Sequence, residues 1–300
     1  MILPGLIFRE PMLSDADAVR FCTRRVLQSD LSLANIYLLK KKYGTEIVFH
    51  MEHLIRHFSG DGRLRGYTFP ISGAAIEDAL PCLRAIENDA KARGEALRFC
   101  LLTEEQVDYM RSIYGDKMVV NQDDGDADYL YKRESLASLP GPRFHKKHTH
   151  INAFLKKNSH TVFRELSTAN REDALHIASA WLHAQDESPA LHHEYRAIEN
   201  ALQHMEQLQM GGGIVYVRGT PIAMALYSQI NEHVTDIHYE KCVPEFRDAY
   251  AFINREIAAS VNTEWLNREE DLNIPGLRKA KLSYYPSLIL RKYTATIYAD

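Results

Sequence analysis

Four consecutive residues, His238, Tyr239, Glu240 and Lys241, close an apolar run, HVTDIHYEKC. Each can move a proton or hold a polar group, and imidazole and carboxylate suit an attacking hydroxyl or amine near neutral pH. Strand alternation would put His238 and Glu240 on one face and Tyr239 and Lys241 on the other. A second charged block lies in WLNREEDLNIPGLRKAKLSYYPSLILRKYTA, residues 265–295. Asn267, Arg268, Glu269, Glu270 and Asp271 precede a break at Pro275-Gly276. Arg278, Lys279 and Lys281 follow it, and Arg291 and Lys292 lie past Pro286. Such charge runs are usually solvated faces. Here the block is compact and sits between two apolar runs, which suits a pocket wall. The expectation is that Arg278, Lys281 and Arg291 face one cleft with Asn267 and Glu269. The cations would hold an anionic substrate end, and the carboxylates would place an incoming amine. On that expectation Lys281→Ala weakens binding and spares melting.

Other patterns narrow the chemistry. Basic clusters at Lys40-Lys41-Lys42 and at HKKHTH (145–150) with Lys156 and Lys157 have Tyr37, Tyr43, Phe144, Tyr284 and Tyr285 among them. Cations with aromatic rings suit a single-stranded RNA end, charge on phosphate and ring on base. The net charge of −4 gives no global pull toward nucleic acid, and no DNA partner is expected. The loop CVPEFRDAYAF, 242–252, has no glycine and carries Glu245 and Asp248. Bulk and like charge there oppose a pyrophosphate, so neither coenzyme A nor another cofactor is expected. Gly211-Gly212-Gly213 reads as a flexible helix exit. No HExxH accompanies His50, His53 and His57, and the four cysteines form no CxxC, so no metal is expected. GxSxG and GxxxxGK[ST] are both absent.

The 300 residues suggest two domains of roughly 150 residues each. A repeat points the same way. Phe8-Arg9-Glu10 and Phe163-Arg164-Glu165 lie about half the chain apart, each before a polar turn and an amphipathic helix. The expected division is 1–140 and 141–300, the second part carrying the site. In the first half a helix is expected from Ser14 or Asp15 to Val26. EIVFHMEH, LIRHF, RGYTFPI and ALRFCLL read as strands, with helices over 74–93 and 104–113. In the second half helices are expected over 145–157, 171–184, 192–210 and 246–261. Tyr195, Ile198, Leu202 and Met205 form the stripe of the third of these. A hairpin turns at Arg218-Gly219, and periodicity gives an α/β (α+β) chain with mixed strands. No run approaches the ~20 apolar residues of a membrane helix, and the start lacks a signal-peptide pattern. A cytoplasmic protein without stable membrane insertion is the expectation.

NREEDLNIPGLRKAKLSYYP resembles the C-terminal signature of the phosphatidylglycerol lysyltransferase C-terminal-domain family. Lys281, Pro286 and Arg291 match the spacing that ends its membrane enzymes. Ser283 stands where those enzymes carry a second lysine. DADYLYKRESLASLPGPRFHKKHTHINAF (126–154) resembles the linker block of the soluble relatives. The resemblance implies two tandem GNAT-like (N-acetyltransferase-type) domains with mixed sheets. It also implies transfer of an aminoacyl group from aminoacyl-tRNA to a hydroxyl or amine on a small molecule, peptide or lipid headgroup. In GNAT-type domains the HYEK strand splays from its neighbour and offers backbone N–H groups to the acyl carbonyl. With the residue reading above, the catalytic set is His238, Glu240, Asn267 and Glu269. The substrate-binding set is Tyr195, Lys241, Arg268, Arg278, Lys279, Lys281 and Arg291. The rivals are an acyl-CoA N-acetyltransferase, marked by CoA binding, and a non-catalytic GNAT-like binding module.

Overall fold

The computed structural model describes residues 5–60 and 64–298. The chain forms two compact units. The first comprises residues 1–128, 270–278 and 289–300, and the second residues 129–269 and 279–288.

In the first unit the strands are β1 (Thr45–His50), β2 (His53–Phe58), β3 (Gly66–Tyr67), β4 (Leu97–Leu102) and β5 (Met118–Gln122), with β13 (Tyr293–Ile297) from the chain's end. They form one mixed sheet in the order β1-β2-β3-β4-β13-β5. EIVFHMEH is not one strand. Met51 and Glu52 both take positive φ, 49° and 61°, and turn a tight hairpin between β1 and β2. The first helix runs Ala16–Thr23. Asp15 before it does not cap it but binds the Arg9 guanidinium through both oxygens, at 2.9 and 2.5 Å. The helices Leu80–Arg93 and Glu104–Tyr114 cover the sheet, and Thr103 and Gln106 close a capping box on the second. Their apolar stripes meet Tyr67, Phe99 and Leu102 in one core.

The second sheet, most of it in the second unit, has β6 (Asp128–Lys132), β7 (Thr161–Glu165), β8 (Met210–Val217), β9 (Thr220–Asn231), β10 (Val234–Cys242), β11 (Trp265–Asn267) and β12 (Leu288–Leu290). Their order is β12-β6-β11-β10-β9-β8-β7, mixed again. Helices Arg171–His183 and Pro189–Gln203 follow β7, and helix Tyr250–Ser260 joins β10 to β11. The contacts divide the chain at 128/129 where the sequence suggested 140/141. The reason is packing: residues 130–132 pair with β11, and Leu136 and Leu139 lie in one core with Ile253 and Ile257.

The glycine run is a strand feature and not a helix exit. The third of the expected second-half helices stops at Gln203, and Gly211, Gly212 and Gly213 lie inside β8. A Cβ on Gly212 would come 2.3 Å from the Ala225 carbonyl oxygen, and one on Gly213 2.2 Å from the Phe163 ring. Close approach to the neighbouring strands requires glycine there.

Candidate functional site

The site is built where two parallel strands part. β10 pairs with β11 through Val234–Trp265, Thr235–Leu266 and Asp236–Asn267, and the pairing stops there while β10 runs on to Cys242. Against its other neighbour β10 carries a bulge. Ile237 lies opposite Tyr227 and Tyr239 opposite Leu226, which leaves His238 as the extra residue. The bulge breaks the alternation that the sequence suggested. His238 turns to Ser228 and Glu269, whereas Glu240 turns to Asn254 and Arg268. The two groups expected on one face thus meet different partners.

The His238 side chain is 1% exposed. Its Nε2 lies 2.8 Å from Ser228 Oγ and its Nδ1 3.1 Å from Glu269 Oε1, with Asp236 Oδ2 at 3.5 Å. An Nδ1–H donated to the carboxylate leaves Nε2 to accept the serine hydroxyl proton. Ser228 is itself buried. Glu269 is the partly open member, 24% exposed. Its backbone is left-handed, φ 56°, and Asn267 Oδ1 accepts the Glu269 N–H at 2.7 Å. Asn267 is fully buried and so positions Glu269. A non-glycine residue held in this region marks strain of the kind that collects at functional sites. Asp236, His238 and Glu269 each bring a ligand atom within 4.8 Å of the others, so these are the described residues that could hold a cation.

On the other side Arg268 and Glu240 form an ion pair, each side chain 13% exposed. Asn254 Nδ2 donates to the second Glu240 oxygen at 3.2 Å. Burial works against the Arg268 charge, but Glu240 outweighs burial and raises its pKa. The Arg268 guanidinium also lies 5.1 Å from the Tyr284 ring centre and 5.9 Å from that of Tyr131. A carboxylate so engaged is poorly placed to accept a proton.

The remaining expected residues fall in both units. Lys281, in the second, is buried, and its ammonium donates to the carbonyl oxygens of Arg268 and Glu269. It therefore pins the segment that carries Glu269. Lys279 is exposed. Lys241 donates to Glu194 at 2.6 Å and sits 3.5 Å over the Trp181 ring. Burial, and then Glu199, raise the Tyr195 pKa. Arg278 and Arg291 belong to the first unit. Arg278 clasps the buried Asp271 through Nε and Nη2, at 2.6 and 2.9 Å, and Arg291 is exposed.

Sequence reasoning missed Ser228 and Asp236. A buried aspartate two residues before His238 was the available signal, because a carboxylate in an apolar strand needs a reason to be there. A depression of about 600 Å³ near the start of β10 is lined by Tyr227, Gln229, Thr235 and Asn262, and His238 is not among its walls.

The strand order of the second unit and the parting of β10 from β11 are those of a GNAT-like fold. The protein has an α/β fold of two GNAT-like units with mixed sheets. The chain belongs to the family "phosphatidylglycerol lysyltransferase, C-terminal", whose model matches residues 23–296. A conserved protein of unknown function from Bacteroides thetaiotaomicron is 29% identical and superposes with a TM-score of 0.91, over 98% of this chain and 100% of that one. The L-PGS structure from Bacillus licheniformis has a TM-score of 0.67 at 12% identity, over 97% and 93% of the two chains. FemX has 0.62 at 10% identity, over 96% and 97%. At these identities the last two show the fold. An uncharacterized protein of Mycoplasmoides gallisepticum is 22% identical over 204 residues, 65% of this chain. The chain spans 63% of the length of that curated relative. Among the described residues no helix is long and apolar enough to cross a membrane.

Proposed function

We propose that the protein transfers an aminoacyl group from a charged tRNA to a hydroxyl or amine acceptor. Family membership supports the reaction class, and FemX and L-PGS share the fold. The observation that carries the reading is the Ser228–His238–Glu269 relay at the parting of β10 and β11. Glu269 is its open end, so an acceptor meets that carboxylate first. The acceptor oxygen or nitrogen attacks the ester carbonyl, and its proton passes to the Glu269–His238 pair. Backbone N–H groups of β10 past Asp236 steady the oxyanion. The bond to the ribose oxygen then breaks, and that oxygen takes the proton back. Asn267 and Lys281 hold the Glu269 backbone in place.

The test follows label on the amino acid of pooled charged tRNA, with simple amines as acceptors. The protein should speed loss of label from the tRNA and its appearance on the amine. His238→Ala should lower the rate by roughly 10²–10⁴-fold, the usual contribution of a positioned base. No acceleration with any charged tRNA ends this reading. Saturable acetyl-CoA binding together with acetyl transfer would replace it with the N-acetyltransferase one.

A further inference from the structure

A second cationic centre lies in the second unit, apart from the relay. Lys147 sits in the first turns of helix His145–Lys157, a helix with no acidic residue. Its ammonium lies 3.6 Å from the Tyr284 ring centre and donates to Ser283 Oγ at 2.7 Å. Among the described residues no carboxylate reaches it. Arg268, itself near the Tyr284 ring, is the charged group that acts on it. Glu240 pairs with Arg268 and leaves the charge of Lys147 unbalanced. Among the described residues the buried Arg268 Nε and Nη1 find no acceptor.

One helical turn before Lys147 the pattern recurs. Arg143 packs 5.2 Å from the Tyr285 ring centre and 5.0 Å from that of Phe144, and among the described residues no carboxylate pairs with it. Tyr285 is 45% exposed. The Lys279 carbonyl accepts the Ser283 N–H, which puts the exposed Lys279 one turn before Ser283 on its helix. A surface lysine kept for solubility would be fully hydrated or paired. Lys147 is instead half-buried against a ring and a second cation, an arrangement that repels a lone proton charge. Burial, with Arg268 behind it, pushes its pKa down to about 8. A bound anion removes that repulsion.

We propose that Arg143, Lys147 and Lys279, with Tyr284 and Tyr285, bind the phosphodiester backbone of a single-stranded RNA end. The proposal rests on the tRNA reading above and gives that substrate its anchoring surface. RNA is favoured over other anions because cations alternate with rings. An exposed ring beside a cation offers stacking to a base as well as charge to a phosphate.

The test is fluorescence anisotropy of the full protein with an uncharged, labelled single-stranded RNA of about twelve nucleotides, within the usual site size. The titration is repeated at several salt concentrations. Removing one phosphate contact on a single strand lowers the slope of log K against log salt by about 0.7, or about fivefold in affinity near 0.1 M salt. Lys147→Met should show both changes, Lys147→Arg should restore the slope, and Lys156→Ala on the same helix should change neither. Wild-type slope and affinity in Lys147→Met overturn the proposal. So does binding of phosphatidylglycerol vesicles, but not RNA, through Lys147, which would make the surface a membrane contact. If RNA binds through Lys147 and no aminoacyl transfer occurs, the transfer reading fails and this surface stands. If transfer at limiting charged tRNA is undiminished in Lys147→Met, the surface fails and the transfer reading stands.

Discussion

Each unit has a pair of parallel strands in its sheet, and the two pairs are finished differently. In the first unit β3 meets β4 at Tyr67–Phe99, two fully buried rings 6.3 Å apart. His57 packs on Tyr67 at 4.7 Å, and the Tyr67 hydroxyl donates to Asp89. That junction is filled with rings. In the second unit the junction of β10 and β11 is spanned by His238 with Glu269 and by Arg268 with Glu240. A buried ion pair offers little net stability over apolar packing of the same volume. The first junction keeps its carboxylates, Asp89 and Glu95, around a packed pair of rings, whereas the second places ion pairs where the strands part.

Lys292 in the first unit sharpens the contrast. It is buried, pairs with Asp30 and reaches Asp128 Oδ1 at 2.7 Å, and Asp128 also accepts from the Ser29 N–H and hydroxyl. Burial opposes its charge, but the two carboxylates outweigh burial and raise its pKa. Its most open member, Asp30, is 13% exposed against 24% for Glu269.

The largest effects on stability should come from breaking either junction. Phe99→Ala should cost about 3–5 kcal/mol, measured by urea unfolding. Arg268→Ala should cost a similar ~3–5 kcal/mol, because Glu240 is left buried and unpaired. Repair distinguishes the two. Adding Glu240→Gln to an Arg268→Met background should recover most of that stability, since the orphaned charge is gone. No single polar change at β3 or β4 can refill the space of Phe99. If the double variant is as unstable as Arg268→Ala, the ion pair is structural and the contrast between the junctions collapses.

Next in size is Lys281→Ala. The sequence suggested a free cation in a cleft and no effect on melting. The structure gives Lys281 two backbone carbonyls to serve. Losing that donor should cost about 1–3 kcal/mol, and transfer should fall with it because Glu269 loses its support. Unchanged melting would return Lys281 to the role of ligand-binding cation.

Much of this was legible in the residues. The helix over 145–157, the hairpin at Arg218-Gly219 and the α/β class followed from periodicity and turn chemistry, and the family followed from the NREED and GLRKAK blocks. What was not legible depended on local breaks in regularity. A bulge at His238 gives no sequence signal, yet it re-aims every later side chain of β10. Left-handed φ at Met51, Glu52 and Glu269 occurs without glycine, so neither the hairpin nor the Glu269 kink could be read from composition. The roles of Lys281 and Arg278 were hidden for another reason. Long cationic side chains reach backbone carbonyls or a buried aspartate that sequence spacing does not reveal.

The smallest expected effect concerns Lys147. Its pKa in the fold is about 8, against an ordinary 10.5. Burial comes first among the causes and Arg268 second, with Ser283 and the Tyr284 ring, whose hydroxyl is itself raised to about 12, as its other neighbours. Between those two pH values the unfolded chain holds the proton more often than the folded one. Stability due to this residue therefore rises with pH across that window. Below pH 8 the wild type bears the full cost of the charge, and above 10.5 it bears none. Lys147→Met removes the cost at every pH. Relative to wild type the variant should gain most near pH 7, and the gain should shrink steadily toward pH 10.5, as read by denaturant midpoints at matched pH. Alkaline changes elsewhere affect both proteins and cancel in the difference. A difference that stays flat across the window, or grows with pH, would mean that Lys147 is comfortably accommodated in the fold. The contrast between cations kept for stability, such as Lys292, and one kept at a cost to it would then be lost.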